Sequence, residues 1–345
     1  MDLVRVESDP VNQAFTELRI YFEKNGYFDT NYRWYAIKFA LTTIPIVCCV
    51  VMVTQFSQTW IHYLAAIFLA AFWQQCGFFM HDFEHNHFTT NRHTDNRLGT
   101  LFATVGLGIS GDWWRAEHFI HHSLTCCVDV PTNFCDPQML EPIWAQNSKL
   151  WPFFQNKLQY YCIKIQHITF LPVCLFVGRI GIILDSFSHE RRLKPWVAFA
   201  VHWMWVSAIL YQLPSPHERV VFYAIAAVSQ GILHIQLLVS HYSKQFTNLS
   251  DVATIKDWYR MQVEANIDIE NPWWFDWFHG GLNFHLAHHL YPRMPRHNYR
   301  QATEHIKRVC KEQDLHYDSC DWTTAVIRTL ANLRVLGTHF KLDPR

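Results

Sequence analysis

Four long apolar segments dominate the pattern of hydrophobic and polar positions along the chain. Residues 36–56 contain one charged side chain, Lys38, and residues 60–80 contain none. Each segment matches the ~20 residues that a helix needs to cross a bilayer. Because only residues 57–59 separate them, the pattern predicts a membrane hairpin. The alternative, a helix pair buried in a soluble core, is disfavoured because such helices are usually shorter.

Residues 196–213 and 220–240, joined by the short turn 214–219, predict a second hairpin. A basic cluster at residues 191–194 precedes it, and both hairpin turns are poor in positive charge. The positive-inside rule therefore places the N-terminus and the long loops in the cytoplasm. The expected fold is all-α: a multi-pass membrane protein with four transmembrane helices in two hairpins and a cytoplasmic helical cap.

These segments divide one domain, 1–345, into five parts. They are a cytoplasmic lead-in (1–35), the first hairpin (36–80), a cytoplasmic region (81–195), the second hairpin (196–240) and a cytoplasmic C-terminal region (241–345). The lead-in is predicted to contain a short helix whose apolar face is formed by Phe15, Leu18, Ile20, Tyr21 and Phe22.

One further apolar segment, 161–184, contains the ionisable side chains Lys164, His167 and Arg179. A charge at mid-membrane costs roughly 2.5–3.5 kcal/mol even on the lenient insertion scale. We therefore expect this segment to form an interfacial helix that lies on the membrane.

Composition narrows the class of protein. Half of the residues are apolar and 17% are charged, which excludes a disordered chain. Lys and Arg number 29, as do Asp and Glu, so no basic field for nucleic acid is expected. The ten Cys form no C-x-x-C pair and indicate reduced thiols, and the polar N-terminus shows no signal peptide.

Histidine is the exceptional residue type, with 22 in the chain, and its spacing points to metal ligation. Three clusters repeat at helical spacing: box one (His81, His85), box two (His118, His121, His122) and box three (His285, His288, His289). Residues at i, i+3 and i+4 share one face of a helix, so each box can direct its imidazoles at one point.

The eight histidines are too many for one four-coordinate zinc and suit two adjacent metal ions. Neutral imidazole ligates iron, copper, zinc and nickel. Two predicted crossings separate boxes one and two from box three, so all three face the same side of the membrane. His241 directly follows the fourth apolar segment and is the expected ninth ligand.

The three boxes, H-x3-H, H-x2-H-H and H-x2-H-H, interleaved with two hairpins, resemble the membrane fatty acid desaturase and hydroxylase superfamily. Their flanks, GDWWRAEHFIHH and WFHGGLNFHLAHHLYPRMPRHN, are similar to front-end acyl-lipid desaturases and sphingolipid desaturases. The resemblance covers almost the whole chain.

This resemblance implies an endoplasmic reticulum enzyme with two irons, dioxygen as oxidant and an acyl lipid or acyl-CoA substrate. Electrons would come from NADH through cytochrome b5 reductase and cytochrome b5. The His-Pro-Gly-Gly motif of the fused cytochrome b5 domain is absent, so a separate cytochrome b5 is expected. Box three begins with His285 where front-end enzymes usually have Gln, and Glu84 replaces a commonly small residue.

Residues beside the boxes supply further candidates. Carboxylates and an amide that could hold the ligands are Asp82, Glu84, Asp112, Glu117 and Asn283. Aromatic residues that could line a tunnel for the acyl chain are Trp113, Trp114, Trp277 and Phe278. The alternatives are ordinary surface or capping residues for the first set and an interfacial aromatic belt for the second.

Desaturation is the predicted reaction, with hydroxylation at the same site as the main alternative. Two other classes rank lower. A metal transporter would need ionisable residues within the spans, whereas the boxes lie at span ends. A silent lipid-binding relative would not be expected to keep all eight box histidines.

Overall fold

The computed structural model describes residues 9–89, 91–188, 190–252 and 258–342, and these are mostly helical. The α-helices are α1 (Pro10–Lys24), α2 (Tyr32–Gln55), α3 (Thr59–Glu84), α4 (Arg92–Thr100), α5 (Gly111–Ser123), α6 (Lys157–Lys164), α7 (Gln166–Pro172), α8 (Gly178–Ser188), α9 (Leu193–Tyr211), α10 (Pro216–Gln230), α11 (Ile232–Leu238), α12 (Leu249–Val252), α13 (Trp258–Ala265), α14 (Asp276–His279), α15 (His285–Leu290), α16 (Tyr299–Glu312) and α17 (Trp322–His339).

Short segments of other kinds connect these helices. Two are π-helical, Leu101–Leu107 and Val173–Val177, and four are 3-10 helices: Ser148–Phe153, Trp273–Phe275, Leu282–Phe284 and Arg296–Asn298. The strands are β1 (Cys127–Asp129), β2 (Phe134–Cys135), β3 (Thr247–Asn248), β4 (Asp268–Glu270) and β5 (Ser319–Asp321).

The strands add to the predicted all-helical fold. β1 pairs antiparallel with β2 and parallel with β3, and β4 pairs parallel with β5. With two or three residues each, they are too short to give an alternating pattern that sequence reading could detect. β1 and β2 follow box two, β3 and β4 precede box three, and β5 follows box three.

Among the described residues, five helical stretches are long and apolar enough to cross a membrane. They are Tyr32–Gln55, Thr59–Glu84, Gln166–Ser188, Leu193–Tyr211 and Pro216–Leu238. Four correspond to the predicted spans, and Gln166–Ser188 includes most of the segment predicted to be interfacial. Length and composition alone do not separate a span from an interfacial helix, so the four-span topology remains a prediction here.

The chain forms two compact units. The first, called here the histidine unit, comprises residues 1–29, 118–168 and 238–345, of which 9–29, 118–168, 238–252 and 258–342 are described. The second, called the membrane unit, comprises residues 30–117 and 169–237 and contains most of the long apolar helices.

In the membrane unit, α3 is the central helix and packs against α2 and α10. Its buried face includes Leu69 and Trp73. Arg179 of α8 is also buried, with its guanidinium 3.5 Å from the Trp73 ring centroid and donating to the Leu107 carbonyl at 3.0 Å. The guanidinium therefore has a cation–π contact and a hydrogen bond inside the helix packing.

In the histidine unit, α1 packs against α13 and α16. Phe15 and Phe22 are fully buried, and Leu18 is buried between them on the same helix face. Ile20 and Tyr21, predicted on that face, are instead 44% and 42% exposed, because positions two and one before Phe22 point away from it. The amphipathic helix is confirmed with a narrower apolar face than predicted.

Candidate metal centre

Box one lies in the last turn of α3, within the membrane unit. His81 and His85 are both buried, and their ring centroids are 4.7 Å apart, as the i and i+4 spacing predicts. The Trp114 ring packs against His81, with 5.5 Å between centroids. The sequence predicted that the second apolar segment ends just before His81, whereas helix α3 includes His81 and ends at Glu84.

Boxes two and three meet in the histidine unit, where their side chains sort into two groups. Group A consists of His118, His122 and His288, and group B consists of His121, His241, His285 and His289. Within each group the candidate ligand atoms lie within 4.8 Å of one another. All seven side chains are buried. The helical spacing of box two therefore sends His118 and His122 to one group and His121 to the other.

In each group, the Nε2 atoms of two histidines lie close together. In group A, the Nε2 atoms of His118 and His122 are 3.0 Å apart. In group B, the Nε2 atoms of His285 and His241 are 2.8 Å apart. His241, the expected ninth ligand, lies three residues beyond the end of α11 and belongs to group B.

The other ring nitrogen, Nδ1, is bonded outward in several of these histidines. His118 donates to Gln138 Oε1 at 2.9 Å and His121 to Asp136 Oδ2 at 2.8 Å. His241 donates from the same atom to a backbone carbonyl, that of Ala265, at 2.8 Å. A proton held on Nδ1 leaves the Nε2 lone pair free to bind a metal.

Box three has two similar outward contacts. His289 Nδ1 lies 3.0 Å from Gln262 Oε1, and His288 Nδ1 lies 3.0 Å from the Tyr299 hydroxyl. Gln262 also donates from Nε2 to the His122 carbonyl at 2.9 Å, so this buried amide joins α5 to α15. Sequence reasoning missed Asp136, Gln138, Gln262 and Tyr299, which carry no motif at a fixed spacing from the boxes.

Burial favours the neutral form of four of these imidazoles, those of His118, His241, His285 and His289. It lowers the pKa of His118, His241 and His289 well below the usual histidine value, and neighbouring imidazoles add to the effect. For His285, burial and then His121 lower the pKa to about 3. Neutral imidazole is the form that binds a metal.

The donor set therefore fits metal ions. His289 Nε2 is buried and has no hydrogen-bond partner among the described residues, which is costly unless another ligand satisfies it. It belongs to group B, where a bound ion would satisfy it. Buried nitrogen donors with fixed tautomers and no intervening side chain suit a transition metal.

Most of the predicted carboxylate and amide partners have polar contacts with other side chains. Glu84 forms a buried ion pair with Arg115, and Asp112 accepts from the same guanidinium at 3.0 Å. Asp82 accepts from His87 Nδ1 at 3.3 Å. Asn283 is buried and donates to Asp276 at 3.0 Å, and Glu117 is half-buried on α5. Their role around the metals remains a prediction.

The predicted tunnel residues differ in exposure. Trp114 is buried beside box one, Trp113 and Phe278 are half-buried, and Trp277 is 50% exposed. A separate apolar cavity of about 540 Å³ lies in the membrane unit, between α2, α3, α9 and the π-helical segment Leu101–Leu107. None of the four tunnel candidates lines it.

His279, outside both groups, gives a pH-dependent prediction. Burial lowers its pKa to about 4, against the usual ~6.5 of an unfolded chain. Below pH 6.5 the unfolded chain binds a proton that the folded protein excludes, so acid lowers the free energy of unfolding. Through His279, the free energy of unfolding therefore falls as the pH is lowered from 6.5 towards 4, by at most about 1.4 kcal/mol per pH unit.

We expect His279→Phe, which keeps a ring among Phe275 and Trp322, to flatten the fall in thermal midpoint between pH 7 and pH 5 relative to wild type. The measurement is thermal unfolding of detergent-solubilised protein at several pH values. The same change at exposed His93 serves as the control. Parallel curves for His279→Phe and wild type would contradict the prediction.

Comparison with known proteins agrees with this site. The family model described as fatty acid desaturase matches residues 58–320. The chain is 30% identical to Delta(8)-fatty-acid desaturase 2 of Arabidopsis thaliana, covering 94% of this chain and 75% of that protein. It is 29% identical to a Delta 8-(E)-sphingolipid desaturase of Komagataella phaffii, covering 88% and 58%. A Delta(8)-fatty-acid desaturase of Helianthus annuus is 27% identical, covering 94% and 73%.

Proposed function

Because the chain belongs to the fatty acid desaturase family, and is therefore an oxidoreductase, we propose that it inserts a double bond into a fatty acyl or sphingolipid chain by front-end desaturation. The observation that carries this proposal is the sorting of seven buried histidines into groups A and B. The relatives named as Delta-8 fatty acid and sphingolipid desaturases support the substrate class.

The proposed cofactor is a pair of irons. Group B would hold one, and group A would hold the other, with His81 and His85 of box one as its remaining ligands. The evidence for the latter pair is their helical spacing and the family resemblance. When bound, the irons supply the oxidising power, with dioxygen, that no side chain has for an unactivated methylene.

The protein's own contribution is positional. Gln138 and Asp136 hold the protons of His118 and His121 on Nδ1, and the Ala265 carbonyl does so for His241. Burial excludes water from the ligands. The reaction removes two hydrogens from adjacent methylenes, and two electrons from the donor complete the reduction of dioxygen to water.

The proposed topology has four spans, with Gln166–Ser188 lying at the interface. Group A supports it, because His122 precedes α7 whereas His288 follows α11, and both belong to one compact unit. We therefore propose that the chain between them crosses the membrane an even number of times. In this proposal α9 and the α10–α11 stretch form a hairpin with two crossings, and Gln166–Ser188 does not cross.

The proposed location is the endoplasmic reticulum membrane, with the histidines facing the cytoplasm. The proposed partners are cytochrome b5 and its NADH-dependent reductase. The positive-inside pattern supports the orientation, and the family resemblance supports the organelle and the electron donors. The carrier of the chain, coenzyme A, phospholipid or sphingolipid, is to be identified by product analysis.

The test is the lipid profile of yeast that expresses the chain, with polyunsaturated acids supplied and both fatty acids and long-chain bases analysed. Wild type is expected to give a new double bond on the carboxyl side of existing bonds, or a new double bond in the long-chain base. His288→Ala is expected to give none, because it removes a group A ligand. A hydroxylated product would mean that the enzyme is a hydroxylase and not a desaturase. Identical lipid profiles of wild type and His288→Ala at equal protein levels would contradict the proposal.

A further inference from the structure

A single short loop contacts one histidine from each metal group. The loop, Asp136-Pro137-Gln138, follows β2. Its Gln138 Oε1 accepts from His118 Nδ1 of group A at 2.9 Å. Its Asp136 Oδ2 accepts from His121 Nδ1 of group B at 2.8 Å. Three residues of chain thereby orient ligands of both proposed metals.

The Asp136 carboxylate is fixed in place. It is fully buried, and Oδ2 also accepts from the Cys126 backbone N–H at 2.8 Å, while Oδ1 accepts from the Gln138 N–H at 3.1 Å. Its own N–H donates to the Cys127 carbonyl at 2.9 Å. The pairing of Val128 with Cys135 in the small sheet secures the strand that leads into the loop.

The two acceptors differ in charge. The amide of Gln138 is neutral, whereas the Asp136 carboxylate pulls the Nδ1 proton of His121 more strongly and so makes its Nε2 a better electron donor. The other outward acceptors in group B are neutral: the Ala265 carbonyl for His241 and the Gln262 amide for His289. The negative charge therefore acts on group B through His121.

We infer that the Asp136–Gln138 loop makes the two metals inequivalent, because the charged Asp136 strengthens His121 as a ligand in group B more than the neutral Gln138 strengthens His118 in group A. This inference rests on the proposed function, since it assumes that both groups hold iron. Asp136 and Gln138 are positioning residues, because both act through a histidine and neither contacts the metal or the substrate. Removing such a partner typically lowers metal affinity by about 10- to 100-fold.

The test compares three full-length variants with wild type after loading with ⁵⁷Fe: Asp136→Asn, Gln138→Glu and the double exchange. The readouts are iron per protein, the rate of iron loss to a chelator and the ferrous Mössbauer spectrum. Wild type is expected to show two distinct doublets. Asp136→Asn is expected to shift one of them and to speed the loss of one iron by about 10- to 100-fold.

Gln138→Glu is expected to shift the other doublet and to slow the loss of the iron that gives rise to it. A merely structural role of Gln138 would not slow the loss of iron. The double exchange should reverse the order in which the irons are lost. Thermal midpoints within a few degrees of wild type confirm that the variants are folded. If Asp136→Asn is not folded, Gln138→Glu, which adds the charge to the group A partner, carries the test alone.

Folded Asp136→Asn protein with both doublets and both rates unchanged would overturn the inference, as would an equal change at both irons. The proposed function fails separately, when wild type binds two irons but forms no double bond. The spectroscopic comparison does not depend on turnover, so the two failures are distinguishable.

Discussion

Replacing His241 with alanine is expected to remove one iron of the proposed pair and to reduce product formation by at least about 100-fold. The His241 side chain is 1% exposed, and its Nε2 lies 2.8 Å from His285 Nε2 at the centre of group B. Loss of an outer partner alone costs about 10- to 100-fold in affinity or activity, so loss of a ligand should reach or exceed the upper value.

The measurements are iron content of the purified protein and double bonds formed in yeast. His217→Ala, at an exposed histidine near the start of α10, is the matched control and should retain both irons and full activity. If His241→Ala kept two irons per protein and product within twofold of wild type, His241 would not be a ligand.

His241 also shows what could be predicted from the sequence. The boxes follow from helical spacing, which is local and is read directly from the chain. His241 has no such spacing, but it follows the end of an apolar segment, and the topology brings that end to the level of the boxes. The four predicted spans likewise depend on local composition and all correspond to helices.

The partners of the ligands could not be predicted in this way. The sequence suggested carboxylates next to the boxes, such as Asp82 and Glu117, and their role around the metals remains a prediction. The partners described above come from segments distant in the chain: Asp136 lies 15 residues beyond its histidine and Gln262 lies 27 residues before His289.

The segment Gln166–Ser188 illustrates a different limit. Its apolar composition is that of a span, and its Arg179 predicted an interfacial position on the basis of charge cost. In the structure that guanidinium is buried against Trp73 and bonded to the Leu107 carbonyl. The cost of the charge therefore does not decide the position of the segment, and the proposal of an interfacial position rests instead on the presence of His122 and His288 in group A.

The packing of this segment gives the second large prediction, at Gly231 between α10 and α11. A Cβ at Gly231 would lie 2.6 Å from the Cys174 carbonyl oxygen and 2.7 Å from the Leu175 Cα. Both atoms are backbone, which cannot move aside as a flexible side chain can. Inserting carbon into such a contact typically costs about 1–3 kcal/mol and sometimes more.

We expect Gly231→Val to abolish most recovery of folded protein and Gly231→Ala to lower the thermal midpoint by several degrees. The matched control is Gly181 of α8, where a Cβ would meet no atom within 4 Å, so Gly181→Val should be recovered like wild type. Size-exclusion chromatography of detergent extracts measures recovery. Equal recovery of the two valine variants would show that α10 and the π-helical segment Val173–Val177 are not in close contact. Loss confined to Gly231→Val would mean that close backbone contact holds the segment against α10, so that its position is set by packing rather than by apolar composition.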